Sequence, residues 1–515
     1  NIKVEKKVNK AAMDVSGSGR TKIELDGQNV LDSSGTYDPA RYQAGLRKQG
    51  EGTLIITDET NDEGKKITTP KSESDTSGRL TAKGADGNGA AGIGGSAAEG
   101  TKNITIEGYA TVHAAGGDWG AGIGGGGYYG AEKPGDAENI IIQGYATVDA
   151  ESGGGGAGIG GGYAGNAKNI IIRGHSKVKA TACNGAAIGG GSAGWGSYYG
   201  GSAKGIVICD HATVAARSDM GHGAAIGAAG DNGKDTEAEV TIGTAGATAE
   251  QEDVHVTATG FYGSAIGNGA KDTKVTIQGH VTIQTASDDS NSVIGSSRGN
   301  VEVNIKDNAS IDPAPSAGIS SDIAGGCDIG GGNLQGREVV VNIDGGKHGK
   351  VKIGENHAIL GSINGAISGT TVNIGNNVLL KMKPWKSPDD KYINVNGAEA
   401  EVGTRDNPGA GGLVIGDNTE LWYINNGDEL QKIVHGKNLC KKSPKQNITK
   451  EPTCTESGSA DCTCDYEHTN GAAHPSCNRT WTDEVPALGH DWDDWQVTTP
   501  ATCTKAVSYT HLTLP

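Results

Sequence analysis

The sequence predicts an all-β protein: a single-stranded, right-handed parallel β-helix of about eleven coils with three short strands per coil, plus a small cysteine-rich C-terminal module. Three observations lead there. First, an isoleucine between glycines recurs, at Ile93, Ile123, Ile159, Ile188, Ile226, Ile266, Ile294 and Ile329, in steps of 30, 36, 29, 38, 40, 28 and 35 residues. Such a period marks a stacked array in which each unit covers its neighbour. Second, residues 103–114 alternate apolar Ile104, Ile106, Ala110 and Val112 with polar positions, and the phrase returns at 139–150, 169–180, 205–216, 274–285 and 302–312. A period of two indicates strand. Third, Gly108, Gly144, Gly174, Asp210, Gly279 and Asp307 interrupt the alternation at one place. Gly and Asp tolerate a left-handed backbone, so each repeat is expected to bend there with positive φ.

The elements follow in order. Residues 1–20 are expected to cap the open end. The chain starts at Asn1 without a signal peptide, which implies a removed leader or a missing upstream portion. The β-helix occupies 21–434, beginning with Ile23, Leu25, Val30 and Leu31 and fading after residues 421–424. Its inward aliphatics replace a globular core, and the 87 glycines supply bends and room for close coil packing. A lysine-rich linker, 435–452, precedes a cysteine-containing repeat at 453–506, whose second copy has only begun. Residues 507–515 read as a translated sequencing adapter on a metagenomic contig, placing the true C-terminus, and any anchor, beyond the chain.

A formal charge of −17 disfavours nucleic acid, and no apolar run is long enough to span a membrane. The string from Gly120 to Gly125 matches a dinucleotide fingerprint in letters only, because no helical pattern follows it.

The connection entering each Gly-flanked isoleucine hardly varies in length, whereas the connection leaving it varies widely. Uneven insertions on one face mark the working face of a solenoid. The two longest carry Tyr128, Tyr129, Trp195, Tyr198 and Tyr199, and the short loop between them carries Tyr163. Long, short, long on successive coils would make a groove ~10 Å wide. Aromatic faces in a polar groove suit sugar rings, and Glu132 and Asp136 would hold hydroxyls or Ca²⁺. The competing reading is that these rings simply cover glycine-rich backbone. Tyr109, Tyr145, His175, His211 and His280 form a further column, read as an external ring stack and not a metal site. In the tail, Cys454, Cys462, Cys464 and Cys477 with His490 fit either Zn²⁺ or two disulfides. Cys183, Cys209 and Cys327 fall on different parts of the coil and are expected unpaired.

The phrase Gly-Ala-Gly-Ile-Gly-Gly-Gly joined to Asn-Ile-x-Ile-x-Gly-x-Ala-Thr-Val-x-Ala resembles glycine-rich repeats of secreted surface proteins from gut Gram-positive anaerobes. It is also similar to a non-catalytic, carbohydrate-binding, pectate-lyase-like β-helix family with pectin-like ligands and Ca²⁺. The tail resembles small cysteine-containing repeats of similar surface proteins, although its Cys462-x-Cys464 spacing departs from the usual Cys-x-x-Cys. The resemblance implies an extracellular or cell-surface, adhesin-like rod whose partners are a polysaccharide or host glycan and, through the lost anchor, the cell wall. Hydrolases of this fold share an Asp-Asp pair, then Gly-His-Gly, then Arg-x-Lys. Here Gly221-His222-Gly223 precedes Asp288-Asp289 and no matching Arg-x-Lys follows, so a pectin-degrading lyase or hydrolase is the alternative.

Overall fold

The computed structural model describes residues 3–5, 10–34, 42–61, 64–69, 77–86, 89–127, 135–192, 200–229, 235–287, 292–296, 298–313, 329–331, 337–354, 360–362, 369–382, 393–395, 398–399, 402–403, 413–424, 429–440, 445–464, 480–489, 496–499 and 508–510. The chain divides into two compact units, Asn1–Gln431 and Lys432–Pro515. The first is a parallel β-helix: every third strand along the chain joins the same sheet. Sheet 1 contains Thr111–Gly116, Thr147–Ser152, Lys177–Ala182 and Thr213–Ser218. Sheet 2 contains the short strands Ile93–Gly94, Ile123–Gly124, Ile159–Gly160 and Ile188–Gly189. Sheet 3 contains Thr101–Gly108, Ala137–Ile142, Ala167–Ile172 and Ala203–Ile208.

Coils stack in phase, so like meets like. Ile93, Ile123, Ile159, Ile188, Ile226, Ile266, Ile294 and Ile329 are successive register partners in sheet 2. Ile104, Ile140, Ile170 and Ile206 do the same in sheet 3, and Val112, Val148, Val178 and Val214 in sheet 1. All of these side chains are buried. At ~1.5–3 kcal/mol per buried aliphatic, the three ladders supply the apolar driving force along the rod axis.

The bend between sheets 3 and 1 has positive φ at Gly108 (66°), Gly144 (72°), Gly174 (71°), Asp210 (63°), Gly279 (73°) and Asp307 (60°). The aspartates do more than tolerate this backbone. The Asp210 carboxylate accepts the Gly174 N–H at 3.1 Å, and that of Asp307 accepts the N–H groups of Gly279 (3.1 Å) and Gly246 (2.9 Å). A second left-handed column lies at the strand-start asparagines Asn103 (60°), Asn139 (57°) and Asn169 (54°). Asn139 Nδ2 donates to Asn103 Oδ1 at 2.9 Å, and Asn169 Nδ2 to Asn139 Oδ1 at 3.0 Å. The side-chain amides thus form a hydrogen-bonded ladder along a column of left-handed residues.

The ring column stacks as expected over four coils. Tyr109–Tyr145, Tyr145–His175 and His175–His211 have centroid separations of 5.1, 4.8 and 4.6 Å. His280 does not join. The bend after Gly243 opens into an insertion, and Asp253, which carries no ring, takes the intervening position: its N–H donates to Asp210 O at 2.8 Å as the His211 N–H donates to Gly174 O at 3.0 Å. His280 Nδ1 instead lies 3.3 Å from Asp253 Oδ1. Tyr145 has two stacked neighbours, so Tyr145→Ala should cost about 1–3 kcal/mol in urea unfolding beyond its lost contact area, while His175→Tyr should be close to neutral.

Two boundaries differ from the sequence reading. Residues 1–20 already contribute ladder strands: Lys3–Glu5 pairs with Val30–Asp32, and Met13–Val15 with Leu46–Lys48. Their alternation is too short to distinguish from a cap. Within the expected linker, Lys445–Lys450 is a strand, antiparallel to Gly458–Thr463, which also pairs with Thr480–Val485. Its lysines and the half-exposed Ile448 gave no apolar face to detect. The ladder of the first unit reaches Glu420–Ile424, which pairs with Val378–Met382.

Candidate functional site

Of the residues expected to line a glycan groove, Tyr128, Tyr129, Glu132, Trp195, Tyr198 and Tyr199 lie outside the described residues. Asp136 and Tyr163 are described. The Asp136 carboxylate is engaged: its Oδ1 accepts from Asn166 N (2.7 Å) and Asn166 Nδ2 (3.1 Å). Asn166 Oδ1 in turn accepts Ser202 N at 2.9 Å, and Ser202 Oγ accepts Glu237 N at 3.1 Å. Asp136 therefore belongs to a polar seam that ties each coil to the next.

Tyr163 meets Trp119 edge-on, with centroids 5.3 Å apart and an interplanar angle of 81°. The pattern of variable loops missed Trp119, because it sits on the connection of nearly constant length. Its indole lies on Gly155, where an added Cβ would come 2.5 Å from Cε3. For this ring, covering glycine backbone is what the structure shows.

A concave surface lies elsewhere, on the outer face of sheet 3. It is a groove of ≈ 550 Å³ crossing the strand starts of successive coils. Its walls are columns fixed by register. Glu239, Lys274, Glu302 and Val340 are successive partners, as are Thr241, Thr276, Asn304 and Asn342. Glu237 receives Lys204 and, at 2.9 Å, Lys271, while Lys274 reaches Glu302 at 3.3 Å. Asn304 Nδ2 donates to Glu302 Oε1 at 2.8 Å, and Asn342 Nδ2 to Asn304 Oδ1 at 2.9 Å. Hydrogen bonds from Lys204 and Lys271 hold the Glu237 carboxyl below the usual carboxylate range. The Asn304 amide, and then Lys274, do the same for Glu302 against partial burial. Glu239 and Glu338 make no ion pair among the described residues. The groove therefore presents ionised acceptors at Glu237 and Glu302, ammonium groups at Lys204 and Lys274 and an amide at Asn342, on coils spaced ~4.8 Å apart. Sequence reading did not find it, since its columns join residues about thirty positions apart.

In the second unit, Cys454 and Cys462 carry free thiols, and Cys464 is disulfide-bonded. Cys477 and His490 lie outside the described residues. A pairing of four tail cysteines into two disulfides is thus not what the structure has at Cys454 or Cys462. Cys462 is buried with Ala460, Cys464 and Trp481, so its thiol serves as core packing. Cys464 Sγ lies 3.8 Å from Nδ1 of the buried His435. Among the described residues, no group of three His, Cys, Asp or Glu side chains converges to hold a metal ion. On the rod, Cys183 and Cys209 are free, and burial, reinforced by Asp210, pushes the Cys209 thiol up to about 12.

No helix among the described residues is long and apolar enough to cross a membrane. No protein-family model, no curated protein and no solved structure matches this chain.

Proposed function

We propose that this chain is a non-catalytic, adhesin-like protein of the cell surface or extracellular space, whose β-helical rod binds a polysaccharide or host glycan. The observation that carries this reading is the sheet 3 groove. A polymer laid along the rod meets a charged or amide hydrogen-bonding side chain on each coil, Glu239, Lys274, Glu302 and then Asn342, a set that suits a hydroxylated chain. The groove carboxylates Glu237 and Glu302 are held ionised, which suits acceptance of hydroxyl hydrogen bonds and opposes a role as general acid. The disulfide at Cys464 supports an oxidising, extracellular location. The loop aromatics remain part of the proposal as a second contact region, with Ca²⁺ as a bridging ion.

The test is retention of the full chain on immobilised pectins and host-type glycans. Glu239→Gln with Glu338→Gln should weaken retention about tenfold with little change in melting temperature, as expected for losing charged hydrogen bonds worth ~1.5 kcal/mol. Alanine at Tyr128, Trp195 and Tyr199 together tests the loop region in parallel. Retention unchanged in both sets, or absent in the wild type, would remove the proposal.

One observation favours the alternative, a polysaccharide lyase or glycoside hydrolase. Asp86 is an exposed residue, yet partial burial of its carboxyl and the neighbouring Asp32 and Asp118 carboxylates raise its pKa, the direction that favours a proton donor. New reducing ends or unsaturated products on incubation with pectin, lost in Asp86→Asn, would establish that reading instead.

A further inference from the structure

The charges of the sheet 3 groove do not balance. Among the described residues, five carboxylates line it, those of Glu237, Glu239, Asp272, Glu302 and Glu338, against two ammoniums, Lys204 and Lys274. Both ammoniums are taken: Lys204 pairs with Glu237, and Lys274 with Glu302 at 3.3 Å. Lys271, next along the chain to Asp272, serves Glu237 at 2.9 Å and reaches Asp272 at 4.0 Å. Asp272 Oδ1 also accepts Asn300 Nδ2 at 2.9 Å. Glu239 and Glu338 are left, both exposed and neither in an ion pair among the described residues.

These two stand at opposite ends of the groove. Glu239 lies on the strand Glu237–Ile242, and Lys274, its register partner on the next coil, turns its ammonium to Glu302 instead. Glu338 lies three coils on, immediately before the strand Val339–Asp344, and its N–H donates to Asn300 Oδ1 at 3.1 Å. Three coil steps put the two acids ~14 Å apart along the rod. A polymer following the groove therefore meets an unneutralised carboxylate at each end. A uronic-acid chain brings like charge to both and finds no spare ammonium in the groove among the described residues, which is repulsive. A neutral chain supplies hydroxyl donors and leaves both charges in place. A protonated amine donates a charge-assisted hydrogen bond and neutralises the carboxylate as well.

We propose that the glycan of this groove carries free amino groups, as an amino-sugar polymer without N-acetyl caps does, and that Glu239 and Glu338 set this preference. The inference rests on the glycan reading and narrows it to one charge class. Both ion pairs stay partly solvated, so the preference is modest and falls as salt rises.

The test measures binding of three labelled hexasaccharides to the full chain: glucosamine, N-acetylglucosamine and galacturonate oligomers. It is run at about pH 6, above the ordinary Glu value of ~4.3, in low salt. Chelator is present, so that no divalent cation bridges a uronate to the carboxylates. The glucosamine oligomer should bind about fivefold tighter than its N-acetylated form, as two exposed ion pairs warrant, and the galacturonate oligomer weakest. Glu239→Gln with Glu338→Gln should abolish the fivefold difference. The chain carries a charge of −17 and attracts any oligocation, so a second pair of substitutions supplies the control. Glu250→Gln with Glu451→Gln, both exposed and outside the groove, removes the same charge and should keep the difference. Equal affinity for the amino and N-acetylated oligomers, or equal loss in both double variants, would overturn the inference and leave the glycan reading standing. Failure of all three oligomers to bind would remove both. Hexalysine binding as tightly as the amino sugar, and lost in the same groove variant, would overturn the sugar assignment in favour of a basic peptide.

Discussion

Gly160→Ala is expected to force two coils apart and to cost on the order of 3–5 kcal/mol. Gly160 has φ +140°, a backbone that L side chains rarely adopt, and an added Cβ would lie 1.9 Å from Gly189 O. That oxygen cannot move freely, because it accepts the Gly161 N–H at 2.9 Å. The substitution therefore combines backbone strain of about 1–3 kcal/mol with the loss of a buried hydrogen bond of about 1–3 kcal/mol. The contact recurs at Gly124, whose Cβ would lie 1.9 Å from Gly160 O, so the strain has no slack coil in which to dissipate. Gly153→Ala is the control: the nearest atom to its added Cβ is Asp118 Oδ1 at 3.5 Å, and the cost should stay within about 0.5 kcal/mol. Local amide exchange at Gly161 is the appropriate measurement, since a stacked array need not unfold in one step. Protection at Gly161 equal to wild type would refute the expectation.

The second large effect is expected at Glu252. This carboxylate is 1% exposed and sits near the end of the insertion that interrupts the ring stack. It accepts three backbone N–H groups: Asp210 at 3.3 Å, Thr244 at 3.0 Å and His280 at 3.2 Å. Those donors lie on three successive coils, so one side chain clips all three at the bend. Glu252→Ala leaves the three donors without their charged acceptor and should cost about 3–5 kcal/mol. Glu252→Gln keeps one carbonyl acceptor and should fall between alanine and wild type. Exchange of the Asp210, Thr244 and His280 amides should accelerate together in the alanine variant. Acceleration at one amide alone would show that the three are not coupled.

The ladders were legible in the sequence because they repeat within each coil. Ile104, Ile106 and Val112 show a period of two, and Gly108 marks its interruption. The bend conformation followed from residue chemistry at that one position, and the glycine-flanked isoleucines foretold close coil packing. What escaped notice depends on register between residues about thirty positions apart. The amide ladder of Asn103, Asn139 and Asn169 was present in the quoted phrases, yet nothing local says that these side chains touch or that their φ is positive. Glu252 looked like any acid in an insertion, because its three partners are backbone groups. The sheet 3 groove required knowing that Lys274 stands between Glu239 and Glu302. Asp136 was chosen for its charge beside aromatic loops, whereas its carboxylate is occupied by Asn166.

The left-handed asparagines make the inner columns of successive layers interchangeable. Asn103, Asn139 and Asn169 present the same amide edge upward and downward, and Ile104, Ile140 and Ile170 occupy the same rung. Excision of one whole repeat would bring Asn169 onto Asn103 and Ile170 onto Ile104, keeping those columns matched while setting Lys168 beside Lys102 on the outer face. The inner faces of a molecule built this way tolerate gain or loss of entire storeys, so only the outer charges would need to change with its length.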